Sequence, residues 1–238
     1  MLHVDEATLR TVLNMWGPGK YDAVLFVDGK VLRPDGKVAA NLLPAAFGLK
    51  GISLTTYTGW GNITYWNSFV ANLEMHGKGN FSDPRLNDPV KYPIAVENHL
   101  CNVMNSPDLI TPKLAALRAY QHSLPAPKPP MGSFGHQKAG KGKALFLTKV
   151  KCASCHTPPL LADNVLHTAE EIGIDDFAAM RSPTGKYRTT PLGGLFTKTK
   201  GGFYHEGRYA TLAEVIDHYD NHLSLKLTPQ KRAIWKNT

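Results

Sequence analysis

The sequence predicts an all-α fold made of two helical parts. Apolar residues recur at the three- and four-residue spacing of helices instead of alternating as they do in strands. Two capping boxes, Thr168 with Glu171 and Thr211 with Glu214, begin helices in the second half. Between the halves, the stretch LPAPKPPMGSF holds four prolines and favours an extended connector. We therefore divide the chain into residues 1–123, a linker over 124–134 and residues 135–238.

The sequence of the first part predicts short helices joined by long loops, with strands only in a hairpin. Its clearest helix has one apolar face and ends before Gly77, the face being Ile63, Trp66, Phe69, Val70 and Leu73. A shorter helix near the start has the face Leu9, Val12, Leu13 and Trp16. A last helix begins at Thr111-Pro112 and runs to about His122. The Asp-Gly pairs in VDGK and PDGK, within residues 21–38, predict a short hairpin.

In the second part, residues 140–151 predict a basic amphipathic helix with Ala144, Leu145 and Phe146 directed inward. The helix after Thr211 carries four apolar residues at i, i+3, i+4 and i+7. This spacing predicts that all four share a buried face: Leu212, Val215, Ile216 and Tyr219.

The stretch KVKCASCHTPPL contains a C-x-x-C-H motif formed by Cys152, Cys155 and His156. A thioredoxin-like redox pair needs a preceding buried strand, which is missing here, and a structural zinc site needs four ligands. Cys101 is the only other cysteine, and we expect it to be a free thiol. Covalent attachment of a c-type haem, with His156 as the proximal iron ligand, accounts for all three residues. Composition alone would produce this motif about 0.002 times per chain.

Short helices combined with this motif predict a cytochrome c-type domain in which the haem replaces much of the apolar core. Covalent haem attachment takes place outside the cytoplasm, so we expect a periplasmic protein. The chain opens MLHVDEATLR, which lacks the apolar region of an export signal, and no run reaches the roughly 18 apolar residues of a membrane span.

The net charge is +8, and five lysines crowd the motif: Lys138, Lys141, Lys143, Lys149 and Lys151. They form either a solvated helix face or a docking surface for an acidic electron-transfer protein. No signature of a nucleic-acid-binding fold accompanies the charge.

Three segments resemble the di-haem cytochrome c peroxidase superfamily, including its MauG-like oxidoreductases. They are CASCHTPPL, LHTAEEIGIDDFAAMRSPTGKYRTTPLGGLF and KGGFYHEGRYATLAEVIDHYD, and GWGNITYWNSFVANLEMHGKGNFSDPRL resembles the first domain of related proteins. The resemblance covers most of residues 40–230 and implies two cytochrome c-like α-helical domains, each with one c-type haem. One haem is the peroxidatic or oxygen-activating site, where hydrogen peroxide would react, and the other passes electrons.

This chain departs from the family pattern because it holds a single C-x-x-C-H. The resemblance therefore implies that the first domain is incomplete and that a leading segment with the second haem precedes Met1. The family often holds calcium between its domains, but we find no ligand cluster for it in the sequence.

The resemblance places a Met or Tyr at the sixth iron position on the helix after HEG, which is Tyr219 here. Met180 is the thioether alternative. His205 is a third candidate, either as a ligand or as a hydrogen-bonding group at the haem edge, and His167 and Met131 are weaker ones.

Other residues are expected around the haem. Arg188 or Arg208, and less so Arg181, would meet the haem propionates. The carbonyl of Pro158 or Pro159 would orient the His156 ring. The family's electron-relay tryptophan corresponds to Trp60, for which core packing is the alternative, as it is for Trp66.

These observations predict a c-type cytochrome that transfers electrons, as part of a di-haem peroxidase-like oxidoreductase. Two alternatives stay open: a haem peroxidase that reduces hydrogen peroxide at an open or displaceable sixth site, and a zinc-stabilised binding module.

Overall fold

The computed structural model describes residues 5–148, 150 and 152–235, without the side chains of Ala233 and Trp235. The end of the predicted 140–151 helix, with Lys149 and Lys151, lies outside these residues. The described part is mostly helical and has a few two-residue strand pairs, which is consistent with the predicted all-α class. None of its helices has the length and apolar character needed to cross a membrane.

Ten helices follow one another along the described residues. They are α1 Glu6–Trp16, α2 Leu25–Asp28, α3 Ile63–Phe69, α4 Pro93–Glu97, α5 Thr111–Ser123, α6 His136–Leu147, α7 Ala169–Ile172, α8 Phe177–Arg181, α9 Leu212–His222 and α10 Pro229–Trp235. A π-helical turn, Val70–Glu74, extends α3, and short 3₁₀ turns occur at Pro84–Leu86, Cys152–Ser154 and Leu195–Thr197.

Three antiparallel strand pairs tie distant loops together. They are β1 Lys20–Tyr21 with β2 Asn41–Leu42, β3 Phe81–Ser82 with β4 Asn102–Val103, and β5 Leu166–His167 with β6 Tyr187–Arg188. The last pair lies in the second part of the chain, close to the C-x-x-C-H segment in sequence.

The helix predicted over residues 63–73 is confirmed and builds the largest core. The side chain of Asn62 accepts a hydrogen bond from the Tyr65 N–H and so begins α3. Trp66, Phe69 and Leu73 are buried, and they pack in one cluster with Trp60, Phe81 and Tyr92. The rest of the predicted face, Ile63 and Val70, is half-buried, and Val70 packs against this cluster.

Both capping boxes are present, but the predicted buried face of α9 is wrong in part. Thr211 and Glu214 exchange hydrogen bonds with each other's backbone N–H groups, and Leu212 in that first turn is 38% exposed. Val215, Ile216 and Tyr219 are half-buried. The fully buried residue of α9 is Asp220, because this carboxylate turns inward to accept from the Leu227 N–H and from Arg232 of α10.

Two further burial predictions fail on exposed helices, because α1 and α6 each bury only a narrow strip. In α1, Val12 is buried while Leu13 is 43% exposed. In α6, Gly142 is the buried residue, Leu145 and Phe146 are half-buried, and Ala144 faces solvent.

The Asp-Gly prediction is correct for one of its two turns. PDGK closes a turn between Leu32 and Val38, which form an antiparallel bridge. VDGK instead ends α2, with Gly29 in the left-handed conformation at φ 69°. The reason is tertiary, because Asp28 in VDGK is held inside the protein by Arg181.

Loops of the first part pack directly against the second part. Arg181 of α8 reaches Asp22 and Asp28, and the Leu42 N–H donates to the His205 carbonyl at 2.6 Å. The Ser53 N–H donates to the side chain of Asn164 at 2.9 Å. The last two contacts lie beside β6 and in the loop that follows the C-x-x-C-H motif.

Candidate functional site

The C-x-x-C-H segment begins with a tight helical turn just after α6. The backbone N–H of His156 donates to the Cys152 carbonyl at 2.9 Å, and the N–H of Cys155 approaches the same carbonyl at 3.3 Å. Cys152 and Cys155 are unpaired thiols, and both are half-buried. Burial raises the pKa of the Cys152 thiol to about 11. The motif therefore presents two protonated thiols and one imidazole from a single turn.

The ring of His156 is held by a backbone carbonyl. Its Nδ1 lies 3.1 Å from the Leu161 carbonyl, and with Nδ1–H as donor the lone pair is on Nε2. Burial lowers the pKa of His156, against the opposing effect of backbone hydrogen bonds at Leu161 and Thr190. The predicted carbonyl of Pro158 or Pro159 is thus replaced by that of Leu161. The loop turns back at Thr157, whose carbonyl accepts from the Leu161 N–H at 2.8 Å.

Among the candidates for a sixth iron ligand, Tyr219 is brought to the cysteine pair. Burial raises the pKa of the Tyr219 phenol, and the electrostatic influence of Cys155 and Cys152, which lie near it, acts in the same direction. Met180 is 56% exposed on α8, with its sulfur next to Gly185, and Met131 is fully exposed. The structure therefore groups Tyr219, and neither methionine, with the motif.

His167 lies beside the motif on β5. One ligand atom each from Cys155, Asp163 and His167 lies within 4.8 Å of the other two. His167 Nε2 is 2.9 Å from the Asp163 carboxylate.

His205 is buried next to β6. Its ring stacks on Tyr187 with centroids 5.0 Å apart, and its Nδ1 lies 3.1 Å from Glu206. Its Nε2 is buried without a hydrogen-bond partner among the described residues. Burial lowers the pKa of His205 to about 4, so the imidazole is neutral at pH 7.

Arg188 of β6 has the environment expected of an anion-binding arginine. It is 7% exposed, and its Nε donates to the Thr56 carbonyl. Its Nη1 is buried and has no partner among the described residues. Arg188 lines a cavity of about 170 Å³ together with Leu160 and Leu161, which follow the C-x-x-C-H motif in sequence. Burial lowers the pKa of Arg188 to about 10, which reflects the shortage of nearby negative charge.

The other two arginines already have carboxylate partners. Arg208 pairs with Glu206 and Asp175, and Arg181 pairs with Asp22 and Asp28. Of these three arginines, Arg188 is therefore the one whose guanidinium has a buried N–H group without a partner among the described residues.

Trp60 lies in the aromatic core of the first part, close to the second part. It is 1% exposed, its centroid lies 5.6 Å from those of Trp66 and Tyr92, and its Nε1 is 3.4 Å from Asp83. The preceding Gly59 abuts Leu166 and Arg188, where an added Cβ would come within 2.5 Å of the leucine. Trp60 thus packs as a core residue at the junction of the two parts.

Sequence reasoning missed Glu74 in the π-helical turn after α3. Tyr21 donates to one carboxylate oxygen at 2.8 Å, and the other oxygen is buried without a partner among the described residues. Burial raises the pKa of Glu74 to about 7. The one available signal was a charged residue within an otherwise apolar run, which does not reveal a partner more than fifty residues away.

One curated protein aligns with about half of this chain. The methylamine utilization protein MauG of Methylorubrum extorquens (strain ATCC 14718 / DSM 1338 / JCM 2805 / NCIMB 9133 / AM1) is 29% identical over 119 residues. The alignment covers 44% of this chain and 33% of MauG, so the chain spans about a third of that protein. No family model matches. This partial similarity agrees with the resemblance of the motifs and hints at the same superfamily of oxidoreductases.

Proposed function

We propose that this chain is a c-type cytochrome that binds one haem through Cys152 and Cys155 and transfers electrons. The observation that carries the proposal is His156, whose ring is held by the Leu161 carbonyl on the turn that presents the two unpaired thiols. Within a longer family form, the chain would be the electron-transfer part of a di-haem peroxidase-like oxidoreductase.

The residues present fit a haem. His156 would supply the proximal ligand, with its Nδ1–H engaged by a carbonyl in the way that orients metal-bound imidazoles. Arg188 has a buried, unpartnered Nη1 beside the motif and would hold a propionate. Tyr219 would lie at the sixth position. A bound haem supplies reversible one-electron chemistry at iron.

The chain would also contribute positive surface charge for docking a redox partner. Lys138, Lys141 and Lys143 are exposed on α6, the helix that leads into the motif. This surface would attract an acidic electron-transfer protein and raise the rate of encounter. Since covalent attachment takes place outside the cytoplasm, we also propose a periplasmic location.

The proposal is tested by counting covalent haem. The chain is produced in an exported form together with a c-type maturation system, then examined by haem staining on a denaturing gel and by the pyridine haemochrome spectrum. We expect one haem per chain, lost in the Cys152→Ala, Cys155→Ala double variant. Cys101→Ser is the matched control and should keep full haem content, because Cys101 lies in the first part. Absence of covalent haem in the unaltered chain would contradict the proposal.

A second candidate function is peroxide reduction, and Tyr219 is the observation that favours it. A phenol whose pKa is raised by burial is a poor anionic ligand, so the sixth position would be displaceable. Peroxide-dependent oxidation of a reduced electron donor by the purified chain would support this candidate, and electron transfer without peroxide turnover would exclude it.

A further inference from the structure

We propose that the chain without haem binds one soft divalent cation, such as Zn²⁺, through Cys155, Asp163 and His167. One ligand atom from each residue lies within 4.8 Å of the other two. Thiolate, imidazole and carboxylate are the donors that zinc accepts in proteins, and water completes a four-coordinate site that has three protein ligands. The side chains of Asp163 and His167 are 13% and 16% exposed, so the site is reachable from solvent.

The closest pair is hydrogen-bonded, with His167 Nε2 and Asp163 Oδ2 2.9 Å apart. Two ligand atoms on one tetrahedral zinc ion lie about 3.3 Å apart, so these two atoms would separate by a few tenths of an ångström to admit the cation. A cation between them would take the lone pair of Nε2, and the imidazole proton would then reside on Nδ1. Glu171 Oε1 lies 4.0 Å from that Nδ1 and is the outer carboxylate that would accept this proton in a hydrogen bond.

The charge around this cluster favours a cation. The carboxylates of Asp163 and Glu171 both lie beside His167, at 2.9 and 4.0 Å from its two ring nitrogens. The described residues contain one comparable group, formed by Asp175, His205 and Glu206. Arg33 and Arg208 already neutralise its two carboxylates, so that group offers no place for a second cation.

The proposed metal site includes only one of the two thiols of the C-x-x-C-H motif. Cys155 belongs to the cluster and accepts a hydrogen bond from the Ser154 hydroxyl at 3.9 Å. Cys152 points elsewhere, with its Sγ donating to the Val150 carbonyl at 3.8 Å. Metal binding thus differs from simple chelation by the C-x-x-C pair.

Metal binding and haem attachment would use the same sulfur. In metal binding, the Cys155 S–H bond breaks, the proton goes to water and an S–metal bond forms. In haem attachment, the S–H adds across a vinyl group of the haem, so that an S–C bond forms and the hydrogen goes to the neighbouring carbon. The resulting thioether is neutral and a weaker ligand for zinc. The metal site itself does not rest on the proposed function. The expectation that haem attachment abolishes metal binding does rest on it.

The experiment is a Cd²⁺ titration of the full-length, haem-free chain with reduced thiols, followed by the ultraviolet charge-transfer band of the cadmium–thiolate bond. We expect a single site, and at least about tenfold weaker binding in Cys155→Ser, His167→Ala and Asp163→Asn. Glu171→Gln should weaken binding about tenfold while keeping the capping box with Thr168, which accepts glutamine. Cys101→Ser and Cys152→Ser should bind within about twofold of the unaltered chain, and far-UV circular dichroism checks that each variant folds.

Equal losses in Cys152→Ser and Cys155→Ser, with His167→Ala unaffected, would overturn the proposal in favour of C-x-x-C chelation. The haem-loaded chain should show no cadmium–thiolate band, and a band of equal strength there would overturn the shared use of Cys155. Failure of the proposed function is seen separately, as absence of covalent haem with Cd²⁺ binding intact.

Discussion

Tyr219 and Met180 are both candidates for the sixth iron position, and their environments differ sharply. Tyr219 lies near both cysteines, while the Met180 side chain is 56% exposed on another helix. In the haem-loaded chain, we expect Tyr219→Phe to change the visible spectrum and the reduction potential, because the phenol oxygen is removed. Met180→Leu should leave both unchanged. A spectral change confined to Met180→Leu would assign the thioether instead and would require movement of α8.

The buried His205 side chain should make the free energy of unfolding depend on pH. Burial holds its pKa near 4 in the folded chain, against 6.5 for an unperturbed imidazole. Glu206 and Asp175 favour the protonated form, while Arg208 and Arg33 oppose it. Between pH 4 and 6.5 the unfolded chain therefore binds more protons at this residue. The free energy of unfolding should fall as pH drops through this window, by about 3 kcal/mol at most.

This pH dependence is measured by urea unfolding of the haem-free chain at several pH values. His205→Gln should flatten the dependence between pH 4 and 6.5, whatever its effect at pH 7. His136→Gln, at the exposed start of α6, should leave the slope unchanged. An unaltered slope in His205→Gln would mean that another group accounts for the acid sensitivity.

Sequence spacing reveals which chemical groups lie together better than it reveals their environment. The C-x-x-C-H motif is visible in the sequence because it places two thiols and an imidazole on one turn. The role of Leu161 was not predictable, because it depends on how the following loop returns to the ring. The same holds for Glu74 and its distant partner Tyr21, and for the free donor of Arg188.

At the scale of single elements, the cap of α9 is the feature that local sequence specifies most completely. The Thr211 side chain accepts from the Glu214 N–H at 3.2 Å, and Glu214 accepts from the Thr211 N–H at 3.0 Å. Thr211→Ala should lower the free energy of unfolding by about 1 kcal/mol. Thr211→Ser, which keeps the hydroxyl, should cost less than about half of that. Both are measured by urea unfolding, and equal losses would show that the threonine methyl group, rather than the cap, carries the effect.

Helices with local signals were predictable, and elements built from long-range contacts were not. Asn62 and the aromatic spacing specify α3, and Pro112 in the first turn marks the start of α5, although the predicted cap by the Thr111 side chain is wrong because Thr111 is already helical. The two-residue strands pair across gaps of about twenty residues, so neither strand carries a pattern of its own. The face of α9 was misjudged because Asp220 is buried by Arg232 of α10, a contact that periodicity cannot show.

At the scale of the whole molecule, the two parts are joined by a buried ion cluster. Arg181 donates to both oxygens of Asp28, at 2.6 and 2.9 Å, and to Asp22 at 3.0 Å. Arg181 and the two carboxylates are almost fully buried. Burial raises the pKa of Asp22, although Arg181 acts in the opposite direction. The arginine thus compensates two carboxylates that come from the other part of the chain.

Arg181→Met should therefore destabilise the chain much more than loss of an exposed ion pair. Two buried carboxylates would be left without a cation, which costs about 3–5 kcal/mol. Arg10→Gln removes an exposed pair with Glu6 on α1 and should cost less than about 1 kcal/mol. Urea unfolding of both variants measures the difference, and similar losses would contradict a central role for the cluster.

The pH dependence of Arg181→Met separates lost charge compensation from lost packing. Without the arginine, the buried Asp22 loses the interaction that lowers its pKa, so in the folded variant this pKa would rise further above its ordinary value. The folded variant then binds more protons than its unfolded chain, and its deficit relative to the unaltered chain shrinks as pH falls towards the ordinary carboxyl pKa of 3.8. Adding Asp28→Asn to Arg181→Met should recover part of the loss at pH 7, since one of the two uncompensated charges is removed. A deficit that stays constant with pH would instead assign the cost to the packing of the arginine side chain against Phe177.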